Sequence, residues 1–221
     1  MSFSFNDLAC AYKKMGNNIF AEKLYLEAVK QNDISAMNNL GYHYFSIGRY
    51  DEMKTYLLMA INKGNSDAMV NLGAYYRTIG QYDEMIKYFK MAMANGHPSA
   101  MNNLGQYYGQ IGKYMEMVAC YISAITLGNL SAMYNLGAYY EKINNNDQAI
   151  IYYKMAADGG DLESIVKVSR LYHKQGQHQE SNKYMLLYFF KTYKKVDMSE
   201  PPSLNNNTHL HENYQIKKQT N

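Results

Sequence analysis

The sequence predicts an all-α solenoid of six helix-turn-helix repeats. Three observations carry the prediction: a block that recurs at one fixed offset, helical apolar spacing inside each recurrence, and a glycine where each helix must stop. Ala36-Met37-Asn38-Asn39-Leu40-Gly41 returns at 68–73, 100–105 and 132–137, a step of 32 residues each time with no insertion. The same step reaches back to Leu8, Tyr12, Gly16, Ala21 and Ala28, and forward to Val168, Tyr172, Gly176 and Ser181. The predicted units are 4–35, 36–67, 68–99, 100–131, 132–163 and 164–195, with 196–221 left as a tail.

Within one unit the elements follow in order. Met37, Leu40, Tyr44 and Ile47 keep three- and four-residue steps and define a first amphipathic helix; Met53, Tyr56, Leu57, Ala60 and Ile61 define a second. Gly48 stops the first helix, and Asp51 is the expected cap of the second. Gly64 stops the second helix, and Asn65 is the expected cap of the next. Gly96-His97-Pro98 places a proline in a first turn, where its missing N–H costs nothing. The glycines therefore read as helix stops. Neither helix can cover its apolar face alone, so each unit must stack on its neighbours, and function falls to the exposed faces.

Composition agrees with few positions repeated many times: hydrophobic residues make up 47% of the 221, with 24 Tyr, 16 Met, 3 Pro and no Trp. The net charge of +3 is spread over interspersed acids and bases, which gives no nucleic-acid footprint. Cys10 and Cys120 lie far apart and outside metal-ligand spacing, which points to a reducing compartment, and hence to the cytoplasm. No stretch approaches the roughly 18 apolar residues of a membrane span, and Asn6, Asp7, Lys13 and Lys14 break any leader-like run at the start. No phosphate loop, nucleophile elbow, HExxH or paired-cysteine motif occurs, so the expectation is a binding protein without catalysis or cofactor. His209, His211 and Glu212 in the tail are the one loose group of metal-ligand types, and read as solvated side chains.

Leu72-Gly73, Tyr76, Gly80-x-Tyr82-Asp83-Glu84-Met85 and Ala92 resemble the tetratricopeptide repeat. Met69 stands where that family prefers Trp, and Met53, Met85 and Met117 where it prefers Ala, while Ala21 and Ala149 keep the family's choice. The second turn, Gly96 to Gly105, is instead similar to the Sel1-like repeat, so the chain resembles a hybrid of the two families. The resemblance implies a right-handed α-α superhelix whose first helices line a concave groove, and a scaffold that binds partner proteins. The Asn, Lys, Ile and Tyr bias is also similar to that of multicopy repeat proteins of giant DNA viruses, which would place the chain in a host cytoplasm.

The first candidate site is the asparagine column Asn39, Asn71, Asn103 and Asn135, one per unit. In some tetratricopeptide proteins an equivalent ladder grips the backbone of an extended peptide, and a carboxamide can pair with both groups of a peptide unit. With repeats about 10 Å apart and an extended chain advancing about 3.3 Å per residue, each rung would meet roughly every third ligand residue. The alternative is that these amides close turns or satisfy a neighbouring repeat. Tyr42, Ser46, Arg77, Gln106, Gln110, Lys142, Arg170 and Lys174 are expected around the column, with Ser35, Asp67, Thr78, Ser99 and Ser131 in neighbouring phases. Lys13 and Lys14 at one end, and Lys167, Arg170 and Lys174 at the other, make the ends basic. The carboxylate clamp of some family members needs Lys and Arg where Asn38, Asn39 and Asn71 stand, so that mode is not expected. Tyr12, Tyr44, Tyr76, Tyr108 and Tyr140 keep core spacing and read as packing.

The second candidate site is the last helix. Terminal repeats need a polar outer face, yet 184–190 is apolar nearly all round, so Tyr184, Leu187, Tyr188 and Phe190 are expected at an end face that meets a partner, a second copy or the tail. The tail itself, with Pro201-Pro202 and Asn205 to Asn207, reads as disordered. The leading function is a scaffold holding an extended segment of a partner; a self-associating or end-on adaptor is the alternative, and a helical-repeat nucleic-acid binder a third. No small-molecule substrate or membrane partner is expected.

Overall fold

The computed structural model describes residues 3–193. Among them are twelve α-helices and no strand. The chain divides into two compact units, one ending at Gly159 and one starting at Gly160. The first holds α1 (Phe5–Lys14), α2 (Asn18–Lys30), α3 (Ile34–Ser46), α4 (Tyr50–Asn62), α5 (Ser66–Thr78), α6 (Tyr82–Ala94), α7 (Pro98–Gln110), α8 (Tyr114–Thr126), α9 (Leu130–Lys142) and α10 (Asn146–Asp158). The second holds α11 (Leu162–Lys174) and α12 (His178–Tyr193). The expected tail 196–221, its His209, His211 and Glu212, and residues 194 and 195 lie outside the described residues.

Each odd-numbered helix pairs with the even-numbered helix after it. In the first unit α2 packs on α3, α4 on α5, α6 on α7 and α8 on α9; in addition α3 meets α5, and α7 meets α9. The helices α2 to α11 each run 13 residues, with three-residue connections. A residue of positive φ stands at every sixteenth position from 16 to 176; nine are glycine, and Asn32 and Asn144 take the other two places. At Gly80, φ is +74°, and the next N–H, that of Gln81, reaches back to the Tyr76 carbonyl at 2.9 Å. A Cβ is strained in that conformation, and asparagine is the residue that tolerates it best after glycine. The two turns of a repeat are thus equal in length, and the period is twice a helix and its turn.

Capping follows the helix order only in part: Asn17 and Asn145 cap α2 and α10 by accepting the Phe20 and Gln148 N–H, while α4, α6 and α8 have no side-chain cap. Asp33, Asn65, Asn129 and Asp161 each accept a backbone N–H of the first turn of α3, α5, α9 and α11, and Pro98 opens α7. Asp51 does not cap α4: the cap position is Arg49, no side chain bonds there, and Asp51 stands exposed inside the first turn. It still favours the helix electrostatically, because a carboxylate complements the positive end of the helix dipole.

Packing inside a hairpin rests on a rule the glycine-as-stop reading misses. Gly41, Gly73, Gly105 and Gly137 lie inside helices, and a Cβ on each would come within 2.7–2.8 Å of Leu57, Phe89, Tyr121 and Tyr153, sixteen residues on. These glycines are places of close approach, and the large partners are 0–4% exposed. The tyrosine column packs as its spacing predicts. Tyr44 stacks on Tyr56, Tyr76 on Tyr88 and Tyr140 on Tyr152, all with ring centroids 5.6 Å apart. Met53, Met85 and Met117 are fully buried between paired helices, and Gly109 leaves room for Met117. Ile47 is not core: it stands 43% exposed at the end of α3.

Candidate functional site

The asparagine column is present on the first helices of the first unit, and its amides are already partly engaged. Asn71 Nδ2 donates to Asn38 Oδ1 at 2.8 Å, and Asn135 Nδ2 to Asn102 Oδ1 at 3.0 Å. Asn39 Nδ2 donates to Asn6 Oδ1 at 3.0 Å and to Cys10 Sγ at 3.6 Å. Each bond joins one first helix to the first helix of the repeat before, the three amide–amide bonds 33 residues back and the bond to Cys10 29 back. Asn103 has no such acceptor, because Val70 occupies that place, and its side chain makes no hydrogen bond with another described residue. Asn38, Asn39, Asn71, Asn103 and Asn135 are half-buried, while Asn102 is buried.

The bonds tie repeats together, and they also fix where the amides point. A carboxamide carries two N–H groups and an acceptor oxygen. Asn71 and Asn135 each spend one donor on the neighbour and keep a donor and the Oδ1; Asn103 keeps all. The partners Asn6, Asn38 and Asn102 were not singled out as ladder members from the sequence. The doubled Asn38-Asn39 was the available signal, Asn38 accepting from the next repeat while Asn39 donates to the last; in Asn102-Asn103 only Asn102 is so engaged.

The surrounding candidates divide. Tyr42 is 53% exposed with the Lys13 ammonium 4.5 Å above its ring, and burial pushes the Lys13 amine below its ordinary value. Arg77, Gln110 and Lys142 are exposed and Gln106 is half-buried. Ser46 and Thr78 turn back to bond the His43 and Tyr75 carbonyls at 2.6 and 2.7 Å. Asp67 is engaged by His97 Nε2 at 2.9 Å. Ser35, Ser99 and Ser131 are exposed. In the second unit Arg170 and Lys174 are exposed on α11.

A buried polar cluster near the first helices went unpredicted. His43 is fully buried with both ring nitrogens unbonded, 3.9 Å from Glu22. Glu22 accepts from the Tyr44 hydroxyl at 2.8 Å and from Arg49 at 3.1 Å. Burial, together with nearby Lys13 and Arg49, holds the His43 imidazole below its ordinary value against the pull of Glu22. Tyr75, Tyr107 and Tyr139 occupy the same phase in later repeats and pair with Tyr50, Tyr82 and Tyr114 across the repeat boundary, at 5.4–5.7 Å.

At the last helix one expected contact residue is misplaced. Tyr184 points inward, 8% exposed against Tyr172, because it holds the phase of Tyr56, Tyr88 and Tyr152. Leu187 and Tyr188 are half-buried, and Phe190 is 70% exposed. Met185, Leu186, Phe189 and Tyr193 are exposed as well, and Leu186, Leu187 and Phe190 line an open apolar depression with Gln179, Asn182 and Lys183. Among the described residues no helix is long and apolar enough to cross a membrane.

Comparison with known proteins bears on this fold. No curated protein sequence matches the chain. Among solved structures, a Sel1 repeat protein from Oxalobacter formigenes is 21% identical, with a TM-score of 0.66 over 84% of this chain and 86% of that one. A protective antigen of uropathogenic Escherichia coli with an SLR fold is 18% identical, TM-score 0.64, over 83% of this chain and 44% of its own. The pilF protein of Pseudomonas aeruginosa is 16% identical, TM-score 0.64, over 96% of both. At these identities the likeness is one of fold, an all-α helical-repeat architecture. The tetratricopeptide repeat model matches residues 34–62, 66–93, 98–127 and 130–158, which together are more than half of the chain. The chain therefore belongs to the tetratricopeptide repeat family.

Proposed function

We propose that the protein is an interaction scaffold that holds an extended segment of a partner along the first helices α3, α5, α7 and α9. The observation that supports this is the row of half-buried carboxamides at 39, 71, 103 and 135, of which Asn71, Asn103 and Asn135 retain unspent hydrogen-bonding groups while neighbours fix their orientation. Amides held in place before binding lose less entropy on capture of a peptide backbone, which raises affinity without a new contact. Backbone pairing reads extended geometry, while Tyr42, Arg77, Gln106 and Gln110 supply selectivity from the same helices.

Asn103→Ala is the discriminating variant, because the Asn103 side chain makes no hydrogen bond within the described residues and its loss should leave folding intact. Peptides selected from a displayed random library on the wild-type protein are expected to bind Asn103→Ala about tenfold more weakly, the equivalent of about 1.4 kcal/mol. Equal binding by both proteins would refute the ladder as a ligand site.

A second reading is supported by α12, where Leu186 and Phe190 are 59% and 70% exposed. In it the protein self-associates or docks a partner end-on through this helix. The two readings separate cleanly, since substitution at Leu186 and Phe190 leaves the asparagine row untouched.

A further inference from the structure

The geometry points to a metal site of two imidazoles, His173 and His178, at the turn between α11 and α12, suited to a borderline first-row divalent cation such as Zn2+, Ni2+ or Cu2+. The two Nδ1 atoms face each other at 3.3 Å, with ring centroids 4.8 Å apart and planes at 62°. Zinc–imidazole bonds of about 2.0–2.1 Å at a tetrahedral angle span about 3.3–3.4 Å between nitrogens, so this separation is the bite of one metal ion. Without metal, one Nδ1–H donates to the other Nδ1 and holds the pair together. With metal, both rings take the Nε2–H tautomer and both Nδ1 lone pairs go to the cation; the shared proton moves to an Nε2 and none is lost.

The turn supplies the placement. His173 sits near the end of α11 and His178 opens α12, and the Gln177 N–H closes the turn on the Tyr172 carbonyl at 2.9 Å. The same two phases meet in the second repeat, where the Phe45 and Tyr50 rings lie 6.2 Å apart. The other repeats carry Lys13 and Asn18, Arg77 and Tyr82, Gly109 and Tyr114, or Glu141 and Asn146 there, so the ligand pair belongs to the last repeat alone. Both histidines are exposed, and Gly176, Gln177, Gln179 and Glu180 surround an open depression beside His178 that admits water to the remaining coordination positions. Nitrogen ligands favour Zn2+, Ni2+ and Cu2+ over the oxygen-seeking Mg2+ and Ca2+. Among the described residues no group of three or more His, Cys, Asp or Glu side chains gathers, so the site has two protein ligands and binds weakly and exchangeably. Lys174 lies next to His173 in the chain, and Glu180 is engaged by Lys183 at 3.6 Å.

Calorimetric titration of the full chain with zinc chloride tests this, on the wild type, His173→Ala, His178→Ala and a His209→Ala/His211→Ala variant that removes the histidines of the tail. One binding event is expected at pH 7.5, weakened at least about tenfold in either single variant. It should persist in the tail variant, while magnesium chloride gives no binding heat in any of the proteins. Zinc-dependent shifts of the His173 and His178 Hε1 resonances in the wild type give a readout that does not depend on any substitution. Absence of binding, persistence of full affinity in both single variants, its loss in the tail variant, or zinc binding that leaves both resonances unmoved would each overturn the assignment.

Discussion

Replacing Gly73 by alanine tests the packing rule at its tightest point. A Cβ at residue 73 would lie 2.8 Å from Cδ1 and Cε1 of Phe89, against 3.4 Å or more for an ordinary contact, so the ring or the helix must move by about half an ångström. Phe89 is 0% exposed and stands in the second helix of an interior repeat, so it has no empty space to enter. Overpacking of this kind costs about 1–3 kcal/mol, and alanine's better helix propensity returns about 1 kcal/mol. The expected net effect is therefore a loss of up to about 2 kcal/mol, against the gain that a glycine-to-alanine change brings at an open helical site. Equilibrium urea denaturation of Gly73→Ala and the wild type measures it. A gain of about 1 kcal/mol, the full propensity difference, would refute the close-approach reading and return Gly73 to a merely permissive residue. Ala9, which holds the same phase opposite Tyr25 in the first repeat, shows that the constraint belongs to interior hairpins.

Asn71→Ala should cost about 1 kcal/mol of stability, because it leaves Asn38 Oδ1 half-buried without its donor, whereas Asn103→Ala should cost nothing measurable; thermal unfolding of the pair checks the contrast. For His43 the folded imidazole lies below its ordinary value, so the native state resists the proton that the unfolded chain accepts. Its stability is therefore full above about pH 6.5, the ordinary value, and declines as pH falls below it; His43→Leu should flatten that decline in unfolding measured between pH 7.5 and 5. Leu186→Ser with Phe190→Ser should reduce any concentration-dependent increase in mass seen by light scattering, and an identical increase in the double variant would exclude α12 as the contact. Gly80→Ala, where a Cβ meets nothing within 4 Å but φ is +74°, should destabilise by about 1–2 kcal/mol from backbone strain alone.

The architecture was legible in the sequence because its signal repeats: the offset of Ala36 to Gly41, and helical spacing interrupted at Gly48 and Gly64, were enough to place both helices of a repeat. The candidate column was legible for the same reason. What the period could not convey was distance between helices. Gly41 and Gly48 are the same residue type, and only the separation of Gly41 from Leu57 distinguishes a close contact from a stop. Nor could it convey that Asn39 and Asn71 spend donors on Asn6 and Asn38, since that pairing crosses 33 residues, one more than the step that made the column visible. Tyr184 was misplaced because 184–190 was read as a uniform apolar run; its phase, shared with Tyr152, sends it inward while Phe190 stays out. His43 was passed over because its phase holds Tyr in three later repeats, and nothing in one histidine announces complete burial.

The equal spacing of the turns, with a positive-φ residue at every sixteenth position, bears on how such a chain can grow. A duplication or deletion of coding sequence one repeat long leaves every Gly–large contact, every tyrosine stack and every carboxamide in phase, so the product differs only in the number of rungs. A change of half that length keeps the helices and turns but exchanges their roles, setting a glycine of close approach where a bulky side chain must be. The number of rungs is thus free to change in whole steps while the chemistry of each stays fixed, and intermediate lengths are penalised by the core.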